Sequence, residues 1–484
     1  MTNKVKSYLA LTLIYGLAWF PLLATQRAFF WDDWVLHNDN KAITNYFVQA
    51  GTPWIVNLHI GLCYDPALYR IITFVAFLLV AVAFLYILEK SVPLTGFSEV
   101  TNLVTAIAVA VIPINTARFS LIVLPYSISI GLFALAWALL LASKKPLSLV
   151  TFVALVFFWT SFTTNSLLFF FAIPIANKYF LDRNNATAKG GLLAALRQYG
   201  WYFALPVIWF GGKKALFHTY GVYAGYNDFK PLYAAATLVL GVAFAGAVWF
   251  GIRAGFIDFK TSNLKRNLVI AAGLVFLAAL PYAVVGLTPP FTEWSTRHAM
   301  LWGFGLAIFI GAIWNSVANS KLGSAVRPAL VVFLIVCTAA SFYSGMTFKI
   351  EELKQSAFAS LVKRIPVADL RSLIVIDDSS KNLNAYERTY RYYEWTGQFN
   401  QAVESSEHLV IADTKNDAEL LKSGFYDQFL VLGKNRYVAQ DTYLKLQLTT
   451  SCDRLELLTT ADPVRCFAIH TSILPTSDIL RNGK

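Results

Sequence analysis

Charged residues are scarce in this sequence. Asp, Glu, Lys and Arg make up 14% of its 484 residues, whereas hydrophobic residues make up 57%. A soluble globular protein has about 25% charged residues, so this chain is short of the charge needed to cover its surface. Its mean hydropathy is +0.54. The composition argues against an ordinary water-soluble protein and predicts a protein of the membrane.

Cysteine is also rare, and the four cysteines present are too few for a disulfide scaffold. Cys63 and Cys337 lie in or near apolar segments and are expected to pack there. Cys452 and Cys466 both lie in the more polar C-terminal part, where they could form a disulfide in an oxidising compartment. That part has neither a glycine-rich phosphate loop nor metal-ligand spacing, and the chain shows no internal repeat or low-complexity segment.

Long apolar runs are what the sequence does contain. A bilayer-spanning helix needs about 20 mostly apolar residues, and runs bounded by charge, proline or glycine predict eleven spans. The first is expected to be retained, because no small-residue cleavage site follows it. The predicted spans are 7–25, 67–88, 100–114, 119–142, 147–162, 165–181, 200–216, 231–252, 267–286, 298–317 and 326–346.

The basic residues predict an orientation. A net charge of +12 could suit nucleic acid, but in a membrane protein excess Lys and Arg mark cytoplasmic loops that face anionic lipid. No nucleic-acid partner is therefore predicted. With a cytoplasmic N-terminus, fifteen Lys and Arg fall inside and eight outside. An odd number of spans then places the C-terminal part outside the cytoplasm, in agreement with its cysteine pair.

The sequence divides into a transmembrane domain, residues 1–346, and a small extracytoplasmic α/β domain, residues 347–484. Short apolar or β-branched runs in the second part indicate buried strands. The predicted strands are Ser372–Ile376, His408–Ala412, Gln428–Leu432 and Cys466–Ile469, and the predicted helices are Glu351–Val362 and Asn416–Ser423.

Ionisable residues close to the membrane are costly, and they mark three places outside as candidate sites. The first is the run Phe29–Trp34 directly after the first span, where Asp32 and Asp33 lie between Trp31 and Trp34. An aromatic belt with two solvated acids is the alternative, because aromatic residues are common at the interface. Two adjacent carboxylates, however, raise the pKa of one of them toward the range of a general base.

The other two places carry positive charge. Arg297 and His298 begin the tenth span, where they could hold a phosphate or merely anchor the helix at headgroups. Lys213 and Lys214 run against the positive-inside trend and could hold a lipid phosphate or snorkel. The loop after the first span also contains a predicted amphipathic surface helix, Ala42–Gln49. Further candidates near these places are His37, Asp39, His59, Asp65, His218, Tyr220, Tyr223, Tyr226, Asp228 and Glu293.

A many-span chain with an acidic pair directly after its first helix resembles the GT-C superfamily of membrane glycosyltransferases, above all its bacterial cell-envelope branch. The resemblance covers the architecture of residues 1–346 and, loosely, the C-terminal part. Asp32-Asp33 matches the acidic motif, and Arg297-His298 matches the later loop that contacts the carrier phosphate. It implies a multi-pass enzyme of the bacterial inner membrane, with polyprenyl-phosphate-sugar as donor and a glycan or lipid acceptor, as in O-antigen modification. The sugar and the acceptor stay open.

The expected mechanism is an inverting transfer of a hexose or pentose, with Asp32 or Asp33 as general base and the cationic residues on the donor phosphate. Carboxylates also suit Mg or Mn, but no clear third ligand is present, so no metal or other cofactor is predicted. The alternatives are a lipid-linked sugar flippase, a polysaccharide polymerase or ligase, and a non-enzymatic scaffold. Polar groups gather at the outer surface rather than at the midplane, which favours surface chemistry over transport.

Overall fold

The structure is a computed structural model that describes most of the chain. The described residues are 3–36, 40–143, 148–185, 199–221, 224–225, 228, 230–254, 264–287, 294–318, 321–405, 407–426 and 440–482. Several predicted features lie outside these ranges: His37, Asp39, Tyr223, Tyr226, Glu293 and the strand Gln428–Leu432.

Apolar helices dominate the first three quarters of the chain. Within the described ranges, six helices are long and apolar enough to cross a membrane: Asn3–Ala24, Pro66–Lys90, Leu121–Ala142, Pro231–Gly251, Leu264–Ala283 and Gly323–Val362. Three shorter apolar helices are Glu99–Val111, Leu149–Ser161 and Trp302–Ser316. A helical multi-span protein with a small C-terminal sheet is thus confirmed, whereas the count of eleven spans stays a prediction.

The helices up to residue 362 are numbered in chain order. They are α1 (Asn3–Ala24), α2 (Asp33–Leu36), α3 (Asn40–Gln49), α4 (Ile55–Gly61), α5 (Pro66–Lys90), α6 (Val92–Thr95), α7 (Glu99–Val111), α8 (Leu124–Ala142), α9 (Leu149–Ser161), α10 (Ser166–Phe170), α11 (Ala172–Asn185), α12 (Ala204–Leu216), α13 (Pro231–Arg253), α14 (Leu264–Ala283), α15 (Trp302–Ser316) and α16 (Gly323–Val362). The predicted surface helix is α3.

The predicted span 165–181 is divided in the structure. α10 ends at Phe170 and α11 begins at Ala172. Pro174 has no N–H to donate to the carbonyl of Phe170, four residues earlier, so a continuous helix would lose that hydrogen bond. The predicted span 200–216 likewise begins as a 3-10 turn, Gly200–Phe203, before α12.

The core of the membrane part is built by α1, α5, α7, α8, α15 and α16. Buried polar groups pin the end of α7 between α1 and α16. The indole Nε1 of Trp19 donates to the carbonyl of Ala110 (2.8 Å), and the hydroxyl of Ser341 donates to that of Val111 (2.7 Å). A Cβ at Gly345 would lie 2.7 Å from Pro21, so glycine allows α16 to approach α1 closely.

The helix α16 connects the two parts of the protein. Its 40 residues correspond to about 60 Å, twice the thickness of a bilayer core of about 30 Å. The predicted span 326–346 and the predicted helix Glu351–Val362 are both parts of it. The boundary at 346/347 therefore falls inside a helix, and the division into domains there stays a prediction.

The C-terminal unit contains a four-stranded sheet of β1 (Leu373–Asp378), β2 (Leu409–Ala412), β3 (Thr442–Thr450) and β4 (Phe467–Pro475), in the order β2-β1-β3-β4. β1 is parallel to β2 and β3, and β4 is antiparallel to β3. The helices around it are α17 (Tyr392–Val403), α18 (Lys415–Lys422), α19 (Arg454–Thr459) and α20 (Thr476–Asn482). Three predicted strands correspond to β1, β2 and β4, and β3 was not predicted. Cys452 and Cys466 form a disulfide.

Candidate active site at the loop after the first helix

The loop that follows α1 is fixed by a buried arginine. Arg70, near the start of α5, donates to the backbone carbonyls of Thr25 (2.8 Å), Ala28 (2.6 Å) and Phe119 (3.3 Å). A guanidinium can serve several carbonyls at once because its donors are held in a rigid fork. Arg70 therefore fastens this loop, which carries the acid pair, to the 3-10 turn Thr116–Phe119.

Trp31 turns the chain between α1 and α2. Its φ is +50°, in the left-handed region that residues other than glycine rarely adopt. Contacts with the C-terminal unit hold Trp31 in this conformation. Its backbone N–H donates to Oε1 of Glu394 (3.1 Å), and the Arg388 guanidinium lies 5.1 Å from the centre of its indole ring. After this turn, Asp32 faces α17, whereas Asp33 faces the segment that precedes α8.

Asp33 is buried and saturated with hydrogen bonds. It accepts from the backbone N–H groups of Phe30 (3.0 Å), Leu121 (2.9 Å) and Ile122 (3.0 Å) and from the Ser120 hydroxyl (2.6 Å). Burial raises its pKa to about 6, although these hydrogen bonds favour the carboxylate and lower it. The Asp33 carboxylate thus joins the loop after α1 to the segment before α8.

Replacing Asp33 with Asn should destabilise the protein much more than replacing Asp32 with Asn. The Asn amide keeps one acceptor oxygen and adds donors where donors already converge, and each buried unsatisfied group costs about 1–3 kcal/mol. Asp32 is half-buried, and within the described part of the chain it accepts one hydrogen bond, which Asn can also accept. Thermal midpoints in detergent would test this pair, and equal losses would contradict the structural role of Asp33.

Asp32 has a different environment from its neighbour. It is half-buried and accepts a hydrogen bond from the hydroxyl of Tyr393 on α17 (Oη to Oδ1, 3.0 Å). Burial raises its pKa, whereas the Tyr393 hydrogen bond and the positive charges of Arg297 and Arg391 lower it, and the Glu394 carboxylate acts in the opposite direction. The pKa of Asp32 is therefore raised overall, and its Oδ1 accepts the hydrogen bond from Tyr393.

The structure brings Arg297 to the same place through a 3-10 helix, Trp294–Ala299. The backbone N–H of Ala117 donates to the hydroxyl of Thr296 (3.0 Å), which ties this helix to the loop region of Asp32. Arg297 is buried and close enough for its charge to lower the pKa of Asp32. The second of the three candidate places thus meets the acid pair.

His298 is held differently from Arg297. Its ring lies 4.6 Å from that of Tyr282, and its Nδ1 is buried with no hydrogen-bond partner among the described residues. Burial and the adjacent Arg297 lower its pKa to about 3. His298 is therefore neutral near pH 7 in the protein without a bound anion.

Lys213 and Lys214 occupy different faces of α12, because consecutive helical residues are about 100° apart. The Nζ of Lys213 donates to Oδ1 of Asn165 (3.2 Å) and lies 5.2 Å from the Trp209 ring, at the wall of a cavity. Lys214 is exposed, and its Nζ lies 5.9 Å from the ring of Phe210. Only Lys213 faces the cavity.

That cavity has a volume of about 490 Å³ and opens between α4, α8, α9 and α12. Its walls are mostly apolar and include the rings of Trp54, Trp159 and Trp209. Leu58 and Ile128 also line it. Both pack against a buried hydrophobic cluster that includes Phe29 and Trp34 of the loop Phe29–Trp34, called the acid loop below. The cavity therefore adjoins that loop and contains the Lys213 ammonium group.

Two further candidates pack as structural residues. Trp34 donates from Nε1 to the carbonyl of Phe29 (2.9 Å), and a Cβ at Gly397 of α17 would lie 2.7 Å from its ring. His59 is buried, its Nδ1 lies 2.8 Å from the Tyr69 hydroxyl, and burial lowers its pKa to about 4. The Trp34 ring thus packs closely against α17 at Gly397.

The C-terminal unit contributes residues to this site that were not predicted from the sequence. Arg388 pairs with Glu351 of α16 (2.7 Å) and with both carboxylate oxygens of Glu394 (2.7 Å each). Burial alone would lower the pKa of Arg388, but these two carboxylates outweigh it and raise it. The run of charged and aromatic residues from Arg388 to Trp395 was the available signal, because such a run is unusual in a buried segment.

Metal binding would need more ligands than the acid pair. Within the described ranges, no group of three or more His, Cys, Asp or Glu side chains is placed to share an ion. Asp32 and Asp33 also face different neighbours. A divalent ion at Asp32 would therefore need water or substrate oxygens for most of its shell.

Comparison with known proteins gives one similarity. No family model and no curated protein sequence matches the chain. Among solved structures, the chain is similar to ArnT from Cupriavidus metallidurans bound to undecaprenyl phosphate, over 97% of this chain and 98% of that one, with 11% identity and a TM-score of 0.36. The roles of residues in this chain rest on their own geometry.

Proposed function

We propose that this protein is a membrane glycosyltransferase that moves a sugar from a polyprenyl-phosphate carrier to a glycan or lipid acceptor on the extracytoplasmic face. The observation that supports this most is the environment of Asp32. Its half-buried carboxylate lies within reach of the charge of Arg297. An apolar cavity lined by Lys213 adjoins the hydrophobic cluster of the same loop through Leu58 and Ile128. Such a transfer requires a base for the acceptor hydroxyl, a cation for the carrier phosphate and an apolar cavity for part of the carrier chain.

The cavity suits the carrier. Ligand pockets usually measure about 300–1,000 Å³ and combine apolar walls with a few polar groups, and this one measures about 490 Å³. The isoprenoid chain would lie against its apolar and aromatic walls. The anionic phosphate would lie at its polar end, with Lys213 and Arg297 as its cationic partners.

Asp32 is the proposed general base. The acceptor hydroxyl gives its proton to Oδ2 of Asp32 while its own oxygen forms a bond to the anomeric carbon. The bond from that carbon to the carrier phosphate breaks, and its electron pair leaves with the phosphate. Arg297 would stabilise the growing negative charge on that phosphate. Attack opposite the leaving group inverts the anomeric configuration.

Asp33 is assigned no part in the chemistry, because its oxygens accept four hydrogen bonds from the surrounding loop. A carboxylate can accept a proton from substrate only where an oxygen is accessible. The sequence motif of two acids would thus combine one base with one structural residue.

The extracytoplasmic side is supported by two features. The disulfide Cys452–Cys466 in the C-terminal unit is typical of an oxidising compartment. The distribution of Lys and Arg independently favours a cytoplasmic N-terminus and an extracytoplasmic C-terminal unit.

Replacing Lys213 with Ala should weaken donor binding by about 10–100-fold, because a hydrogen bond to a charged group contributes about 1.5–3 kcal/mol. Lys214→Ala removes the same charge from the adjacent, exposed position and should change binding little. The KM for a polyprenyl-phosphate-sugar, measured with purified variants, would test both. Equal effects of the two substitutions would contradict a donor phosphate site in this cavity.

The proposed function is tested by mass analysis of envelope glycans and lipids from cells with and without the gene. Loss of a single hexose or pentose from a glycan or lipid would support transfer. Accumulation of a lipid-linked sugar on the cytoplasmic side would instead identify a flippase, and loss of polymer length or attachment would identify a polymerase or ligase. Transfer by the purified protein from a synthetic polyprenyl-phosphate-sugar would then separate an enzyme from a scaffold.

A further inference from the structure

The helix α17 of the C-terminal unit reaches the acid loop through three residues near its start. Tyr393 donates to Asp32 (3.0 Å), Glu394 accepts from the N–H of Trp31 (3.1 Å), and Gly397 lies against Trp34. Positions 393, 394 and 397 share one helical face, since residues three and four apart are neighbours on a helix. One face of α17 therefore contacts three of the four residues from Trp31 to Trp34.

The start of α17 is fixed by its own sequence. Glu394 accepts a hydrogen bond from the backbone N–H of Arg391 (3.0 Å), which closes the first turn. Arg388 binds both oxygens of the same carboxylate. Because Glu394 is held twice, the adjacent Tyr393 has a defined position relative to the loop.

The contact between Tyr393 and Asp32 involves one carboxylate oxygen. Among the described residues, the hydrogen bond from Tyr393 engages Oδ1 of Asp32. The other oxygen can then face a substrate hydroxyl. A hydrogen bond to an ionised acceptor is about twice as strong as one between neutral groups, so the tyrosine hydroxyl can hold the carboxylate in one orientation.

Burial and the Glu394 carboxylate raise the pKa of Asp32 overall, whereas two groups of the C-terminal unit act against that rise. The first turn of α17 directs the positive end of its dipole toward the loop, and the charge of Arg391 acts on Asp32 in the same sense. The Tyr393 hydrogen bond lowers the pKa of Asp32 against the effect of burial. A general base must be deprotonated to act, so Tyr393 and Arg391 favour the reactive form of Asp32 against burial and the charge of Glu394.

We propose that the C-terminal unit completes the catalytic centre and that Tyr393 is a positioning residue, holding Oδ1 of Asp32 so that the second oxygen meets the acceptor hydroxyl. This inference rests on the proposed glycosyl transfer with Asp32 as base. It gives the C-terminal unit a part in the chemical step, beyond covering the site. The acceptor hydroxyl then reacts at the junction of α17 and the acid loop.

The test is the pH dependence of kcat/KM for purified Tyr393→Phe, with a synthetic polyprenyl-phosphate-sugar as donor. Loss of the hydroxyl removes a hydrogen bond to the charged form of Asp32, which raises the pKa of that carboxyl. The acidic limb of the profile should move to higher pH by about one unit, which is a loss of about tenfold on that limb. The KM for the donor should stay close to that of the wild type.

Tyr443→Phe is the control. Tyr443 is a buried tyrosine on β3, and the charged groups that act on its hydroxyl are Lys445, Asp413 and Asp478. Its variant should retain the wild-type profile. A wild-type protein that transfers sugar, together with an unshifted profile for Tyr393→Phe, would overturn the positioning role and leave the proposed function intact. A wild-type protein without transfer activity would overturn both.

Thermal midpoints give a second readout that does not depend on activity. Tyr393→Phe, Asp32→Ala and the double variant are compared in detergent. If Tyr393 holds Asp32, the two losses are not additive, because either substitution removes the same hydrogen bond. Additive losses would overturn the contact even where the activity of a variant is too low to measure.

Discussion

Replacing Asp32 with Asn should lower the rate of sugar transfer by about 10²–10⁴-fold, the usual contribution of a positioned general base. Asn has nearly the same shape and can still accept the hydrogen bond from Tyr393, so the loop should keep its structure. It cannot take a proton from the acceptor hydroxyl. The KM for the donor should change little, because the donor phosphate is assigned to Lys213 and Arg297.

The matched control is Asp65→Asn, another acid at the start of a nearby helix. Asp65 caps α5 by accepting from the N–H of Ala67 (2.9 Å), and Asn is equally good at such a position. Its variant should transfer sugar at a rate close to that of the wild type. Transfer by Asp32→Asn at the wild-type rate, with the control also active, would refute Asp32 as the base.

The features that the sequence predicted are those with a local signal. Long apolar runs identify most of the membrane helices, and the acid pair is found by its position directly after α1. Alternating or continuous apolar runs identify β1, β2 and β4. The strand β3 carried a similar signal, since Leu444, Leu446 and Leu448 alternate with polar residues and are buried.

The division of labour between the two acids could not be predicted, because it depends on residues far along the chain. Asp33 accepts a hydrogen bond from Ser120, 87 residues away, and Asp32 accepts one from Tyr393, 361 residues away. Adjacent acids look alike in sequence, whereas in the fold they follow a turn with a positive φ at Trp31 and face different elements. The neutral state of His298 is likewise set by burial against α14.

Arg388 links the C-terminal unit to the acid loop through a buried ion cluster. Its side chain is 10% exposed, and its partners Glu351 and Glu394 are 0% and 1% exposed. The desolvation cost of three buried charges is offset only if all of them remain paired. Glu394 also accepts from the N–H of Trp31, so this cluster and the strained turn before Asp32 depend on each other.

Replacing Arg388 with Met should therefore lower stability by about 3–5 kcal/mol, because it leaves two buried carboxylates without a counter-charge. The thermal midpoint should fall sharply, and transfer should fall with it as the loop at Trp31 loses its anchor. The double variant Arg388→Met, Glu351→Gln should recover part of the stability, since it removes one of the two unpaired charges.

Lys445→Met provides the control for the same change of charge at the surface. Lys445 pairs with Asp413 at 2.7 Å, and the side chains are 32% and 44% exposed. An exposed ion pair contributes about 0–1 kcal/mol, so this variant should unfold close to the wild-type midpoint. Similar midpoints for Arg388→Met and Lys445→Met would show that the buried cluster does not hold α17 on the acid loop.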